Sequence, residues 1–177
     1  MLKPLSVRAM AASHGLAKVE LLVCQALIVG FAGLLLVNVM MRYLLNAPIY
    51  YADELAIYTL IWMAFLAISV TIARGDMIAL TFLAELAVPR VRFVLQLCVD
   101  LLVLAMCVVL AWTSWQWLNS GAMAYEQALT LGTVKWPFYS IVPIFFTLAT
   151  LHMVANLLHH LAGGVEGTVS AELETLP

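Results

Sequence analysis

Charge is what this 177-residue chain has least of: 10% of its positions are charged, while 65% are hydrophobic. A soluble domain carries about 25% charged and roughly 45–50% apolar residues. A protein this small could not hide such an apolar excess from water, which excludes a soluble globular fold. The ingredients of catalysis and cofactor binding are scarce as well. Cys24, Cys98 and Cys107 form no C-x-x-C pair for redox exchange. His152 is the only histidine deep in an apolar run, so the facing axial ligands of a haem are missing. No phosphate loop and no nucleophile beside its base stands out. Neither an enzyme nor a metal or cofactor protein is expected, and nothing points to nucleic acid.

What the chain does have is four long apolar runs, over about 19–41, 55–73, 92–117 and 136–160. A run of about 20 such residues crosses the hydrocarbon core as a helix, and lipid offers no water to an open backbone. The expectation is an all-α membrane protein with four transmembrane helices, forming a single integral membrane domain over residues 1–177. Lys3 and Arg8 ahead of apolar residues suggest a secretory signal at first. The run after Lys18 is too long for one, and Asn38 and Arg42 follow it instead of an Ala-x-Ala cleavage site. It reads as a retained span.

Outside the runs, residues 1–18 form an arm expected to lie along the membrane surface. Residues 163–177, with Glu166, Glu172 and Glu174, read as an acidic tail. Between spans two and three, Met77, Leu80, Ala84 and Ala87 recur at helical spacing. That pattern favours a short interfacial helix over an ordinary turn. Lys3, Arg8, Lys18, Arg74, Arg90 and Arg92 fall on one side of the membrane, Arg42 and Lys135 on the other. The positive-inside rule then puts both termini in the cytoplasm. Tyr43, Tyr50, Tyr51, Trp112, Trp115, Trp117, Trp136 and Tyr139 gather near the opposite ends as an interfacial aromatic belt.

The few polar groups can be weighed singly. Asn38 and Arg42 share a face at the end of span one. Asp53 and Glu54 open span two, where carboxylates suit the positive end of a helix dipole. The connection is short enough for Arg42 to reach either acid. The alternative is that Arg42 snorkels to headgroups while Asp53 caps its helix. Asp100 lies within span three, near the middle, with Gln96 one turn earlier on the same face. An intramembrane carboxylate is a candidate for proton or ion handling or for helix contact. A hydrogen bond to Gln96 or to a neighbouring helix is favoured, because one acid makes no relay. Ala26, Gly30 and Gly33 set small residues at close spacing on span one, which permits tight helix packing. Pro137 suits the first turn of span four, and Pro143 is expected to kink it.

In order, these landmarks resemble the small membrane subunit of tripartite ATP-independent periplasmic (TRAP) transporters. The resemblance is carried by Asn38-Val-Met-Met-Arg42-Tyr, by Tyr51-Ala-Asp53-Glu54-Leu55, and by Trp62-Met-Ala-Phe65-Leu66-Ala67. It continues through Ala73-Arg74-Gly75-Asp76-Met77-Ile78, then Leu131-Gly132, Trp136-Pro137 and Pro143, covering about residues 19 to 160. Tyr51, Ala67 and Met77 stand where the family usually has Trp, Gly and His.

The resemblance implies a scaffold subunit of the bacterial inner membrane, packed against a large permease subunit and embedded in lipid. That partner would carry organic acids, carboxylates or sugar acids, by sodium symport after capture by a periplasmic substrate-binding protein. Asn38, Arg42, Asp53 and Glu54 would then face the partner or bound lipid. The competing reading is a homo-oligomeric four-helix channel or small-solute carrier built around Asp100. The spans are poor in polar residues for a water-filled path, and no inverted repeat of broken helices is evident.

Overall fold

The computed structural model describes residues 2–75 and 89–174. Among them are six helices: α1 (Leu2–Leu44), α2 (Ala52–Arg74), α3 (Pro89–Leu118), α4 (Gly121–Tyr125), α5 (Trp136–Tyr139) and α6 (Ile141–Glu174). The only β-pairing among the described residues is an isolated antiparallel bridge between Gln127 and Val134. Four helical segments are long and apolar enough to cross a membrane: Ser6–Leu44, Ala52–Arg74, Phe93–Leu118 and Trp136–Ala162. The expected all-α, four-span architecture is present.

Local chemistry sets the helix ends. Pro4 occupies the first turn of α1, where its missing N–H costs nothing. Past Leu44 the chain turns through Asn46 at φ 50 and reaches Pro48, which cannot prolong a helix. Gly75 closes α2 in the left-handed conformation (φ 73), its N–H bonded to Ile72 O at 3.1 Å. Pro143 acts one turn upstream of its own position. It has no N–H for the Tyr139 carbonyl and its ring crowds that group, so the fourth span breaks between Tyr139 and Ile141 and restarts as α6. The expected kink is therefore an interruption at Ser140.

The long helices alternate in direction. Asn38 meets Asp53 and Cys24 meets Met63, which makes α1 and α2 antiparallel. Phe65 packs on Phe145 while Asn156 bonds Ile72 O, so α2 and α6 run parallel. Trp115 meets Thr147 and Asp100 meets His160, so α3 opposes α6. Helix α6 packs against all three partners, whereas α3 rests chiefly on α6. One apolar cluster joins Cys24, Leu66 and Ile141 across α1, α2 and α6. A second joins Cys107 to Phe145 and Ala149, with Phe65 against them.

Helix α1 touches the bundle along one narrow seam. Ser13, Ala17, Glu20, Cys24, Leu27, Phe31, Leu34, Asn38 and Met41 form its central line of buried or half-buried positions. Steps of four and three alternate along them, the coiled-coil spacing. The arm over 1–18 is thus not a separate surface element: it is continuous with the first span, and Ser6, Ser13 and Ala17 are buried in the protein. Likewise α6 runs past the expected end of span four and into the segment read as a tail, so His160 is an interior helix position rather than a C-terminal one. The short helix expected over 76–89 lies, apart from Pro89, outside the described residues.

In lipid the helices gain little from hydrophobic association, so close packing has to supply the contact energy. Leu66→Ala, at a site 6% exposed, should destabilise the chain by roughly 2 kcal/mol in a denaturation assay in mixed micelles. Leu102→Ala, at a site 69% exposed, should stay near zero.

Candidate functional site

Polar side chains collect at two levels of the bundle. The first is the loop end, where α1 turns into α2 and α3 connects to α6. Asn38 is 3% exposed and uses both ends of its amide. Its Oδ1 accepts from Ile49 N at 3.0 Å, and its Nδ2 donates to Asp53 Oδ1 at 3.2 Å. That ties the α1–α2 connection to both of its helices. Arg42 Nη2 stands 3.7 Å from Asp53 Oδ2, with the two side chains 50% and 69% exposed. A pair so open to solvent orients the connection more than it stabilises it.

Glu54 has a different task. Its Oε1 accepts from Tyr58 Oη at 3.1 Å and Leu129 N at 3.0 Å. Its Oε2 accepts from Thr130 N at 2.7 Å, Leu131 N at 3.2 Å and the Thr130 hydroxyl. Three consecutive main-chain amides converging on a carboxylate make an anion nest, here filled by the chain's own side chain. The loop is shaped for it. Gly132 takes φ 61 and donates to Ala128 O at 3.0 Å, while Ala128 N donates to Thr133 O at 2.8 Å. Glu126 and Lys135 close the base at 3.5 Å. Beneath, Tyr58 stacks on Phe138 with ring centroids 4.4 Å apart, and Trp62 Nε1 donates to Phe138 O at 2.9 Å. Leu129 stands at the tip of the loop, 94% exposed.

The second level lies in the half of the bundle away from these loops. His152, fully buried, is hydrogen-bonded through Nδ1 to Ser13 Oγ at 2.7 Å and through Nε2 to Glu20 Oε1 at 3.0 Å. One turn on, Asn156 Nδ2 donates to Ile72 O at 2.9 Å. One further turn on, His160 Nδ1 meets Asp100 Oδ2 at 2.5 Å. Residues spaced by four lie on one helix face, so α6 carries a polar ladder. Its successive rungs reach α1, α2 and α3.

Asp100 is bonded to a neighbouring helix, through His160, and no hydrogen bond joins it to Gln96, which is half-buried. Along α3, Asp100 lies about 5 Å from the helix midpoint, which falls between Val103 and Leu104. Ala26, Gly30 and Gly33 lie outside the α1 seam and are exposed, and a Cβ added at either glycine would meet nothing within 4 Å. Within this chain that small-residue face packs against nothing described.

Sequence reasoning missed Ser13, Glu20, Asn156 and the pairing of His160. The signal for α6 was the 152, 156, 160 spacing in an apolar run. Ser13, His152 and Glu20 also have the composition of a nucleophile, base and acid. Ser13 is 5% exposed, and helix amides are spent on helical bonds, so no donor pair stands ready for an oxyanion. The arrangement can join helices; it is not set up to attack a substrate.

Residues 31–163 match a family described as tripartite ATP-independent periplasmic transporters, DctQ component. A Haemophilus influenzae protein, assigned by inference as a TRAP transporter small permease protein, is 25% identical over 103 residues. That region is 58% of this chain and 64% of the relative, so less than two thirds of the relative's length is spanned.

Two outcomes check the geometry. Glu54→Gln should speed amide exchange at Leu129, Thr130 and Leu131 in lipid nanodiscs, with exchange in α2 unchanged. Glu20→Ala and His152→Ala should each lower stability by about 1–3 kcal/mol, the penalty for a buried group left unpaired. The double variant should cost less than the two together.

Proposed function

The chain belongs to the DctQ component of the tripartite ATP-independent periplasmic transporters, and on that premise we propose that it is the stationary scaffold of its transporter. It holds a large permease subunit in the inner membrane while that partner takes up organic acids, carboxylates or sugar acids, driven by the sodium gradient. A periplasmic binding protein delivers the substrate. Family membership carries this reading. It gains support from the polar groups of the bundle: Glu20, Asp100, His152 and Asn156 are engaged by neighbouring helices, while the apolar exterior suits lipid and a membrane partner. A scaffold needs rigidity and apolar area, and a bundle that spends its polar groups internally has both.

The basic residues orient the subunit. Lys3, Arg8, Lys18, Arg74, Arg90 and Arg92 lie towards the cytoplasm with both termini, and Arg42 and Lys135 towards the periplasm. On this orientation the loop held by Glu54 faces the periplasm, the side on which the binding protein docks. Arg42, at the same end, contributes to the partner or lipid contact. The exposed face with Ala26, Gly30 and Gly33 offers close approach to a helix of the large subunit.

Gentle affinity purification from native membranes should recover a much larger polytopic protein at about one-to-one ratio by mass spectrometry. Recovery of this chain alone, or only with itself, overturns the scaffold reading in favour of a homo-oligomeric channel. In the reconstituted transporter, Asp100→Asn keeps an oxygen for His160 and should leave uptake near normal. Complete loss of uptake with the complex intact would assign Asp100 an ion-handling role instead.

A further inference from the structure

Two buried oxygens in the second polar level lack a hydrogen-bond partner among the described residues: Glu20 Oε2 and Ser69 Oγ. Their hosts are 4% and 0% exposed. Ser69 is unusual for a helical hydroxyl. Thr59 and Thr71 on the same helix bond the carbonyl one turn back, those of Leu55 and Ala67, and Ser69 does not.

The register brings the two together. On α2, Ser69 lies between Phe65, which packs on Phe145, and Ile72, whose carbonyl receives Asn156. Interpolation along the parallel α6 puts Ser69 level with His152. Along the antiparallel α1, the Asn38–Asp53 and Cys24–Met63 contacts carry the pairing down to Glu20 against the same stretch of α2. Ser69 also follows Leu66 at helical spacing, and Leu66 packs with Cys24 and Ile141 in the seam between α1, α2 and α6. The seam that holds the Glu20–His152 pair is therefore the one that Ser69 faces.

We infer that this seam is a binding site for one water molecule, which accepts from the Ser69 hydroxyl and donates to Glu20 Oε2. The stoichiometry selects the ligand. A hydroxyl donor and a carboxylate acceptor on different helices match the acceptor and donor faces of one water, and an ordered water costs less to hold than two buried polar groups cost unpaired. An alkali or divalent cation needs more oxygens than these. The bound water turns Ser13, His152, Glu20 and Ser69 into one continuous network. It links α2 to the α1–α6 pair at a level where no direct side-chain bond does.

The test uses the full chain in lipid nanodiscs, at a map resolution that shows ordered solvent. A single density peak within hydrogen-bond distance of both Glu20 Oε2 and Ser69 Oγ is the expected result. Difference infrared spectroscopy in H2O and D2O should show an isolated internal-water stretch. Ser69→Ala should abolish it and Thr71→Ala, on the outer face of α2, should keep it. Direct contact between Ser69 and Glu20 with no peak between them overturns the inference. So does a peak surrounded at metal–oxygen distances, or an infrared band indifferent to Ser69→Ala. If Ser69→Ala does not accumulate, the native map alone decides.

Discussion

The bundle depends on a ladder of three side chains on one face of α6. His152, Asn156 and His160 tie that helix to α1, α2 and α3 in turn. Lipid tails are as apolar as leucine, so apolar surface does little to decide which helix meets which, or at what height. A directional bond between two buried polar groups does decide it, because sliding a helix by one turn leaves both groups unpaired in an apolar medium. Each rung fixes the height of one helix on α6. That is why α6 can serve as common partner although α3 rests chiefly on it alone. The apolar clusters around Leu66 and Phe145 fill the space the rungs define.

The two ends of the bundle solve different problems. At the loop end, water is near and exposed pairs such as Arg42–Asp53 have modest weight. Order there comes from convergence, with Asn38 holding the first connection and Glu54 gathering the amides of Leu129, Thr130 and Leu131. The result is a shaped loop whose apolar tip, Leu129, stays exposed. In the other half, order comes from side chains on α6, with His152, Asn156 and His160 each matched to groups on another helix.

How much of this the residues disclose depends on the range of the interaction. The four spans follow from local composition, and the places of Asn38, Arg42, Asp53 and Glu54 follow from their short separation in the chain. The five donors on Glu54 do not, since four of them belong to a loop far later in the sequence. Glu20 falls at the edge of the first apolar run, where it passes for a flanking charge; only the packing of α1 on α6 makes it interior. Asp100 illustrates the same limit. Its partner follows from the antiparallel crossing of α3 and α6. The small residues Ala26, Gly30 and Gly33 are plain to read, yet the face they form is turned outward.

That outward face bears on the division of labour within a transporter. A subunit that handled ions would need polar groups open to a pathway, and buried charge in lipid persists only when paired. Here Glu20 is paired with His152 and Asp100 with His160, both across helices. Each pair makes a fixed joint of a group that could otherwise serve as a relay. A joint resists the shear that a moving neighbour exerts, because displacing either helix exposes an unpaired buried group. The features that make the chain poor in chemistry thus make it stiff, and stiffness is what the proposed scaffold role requires.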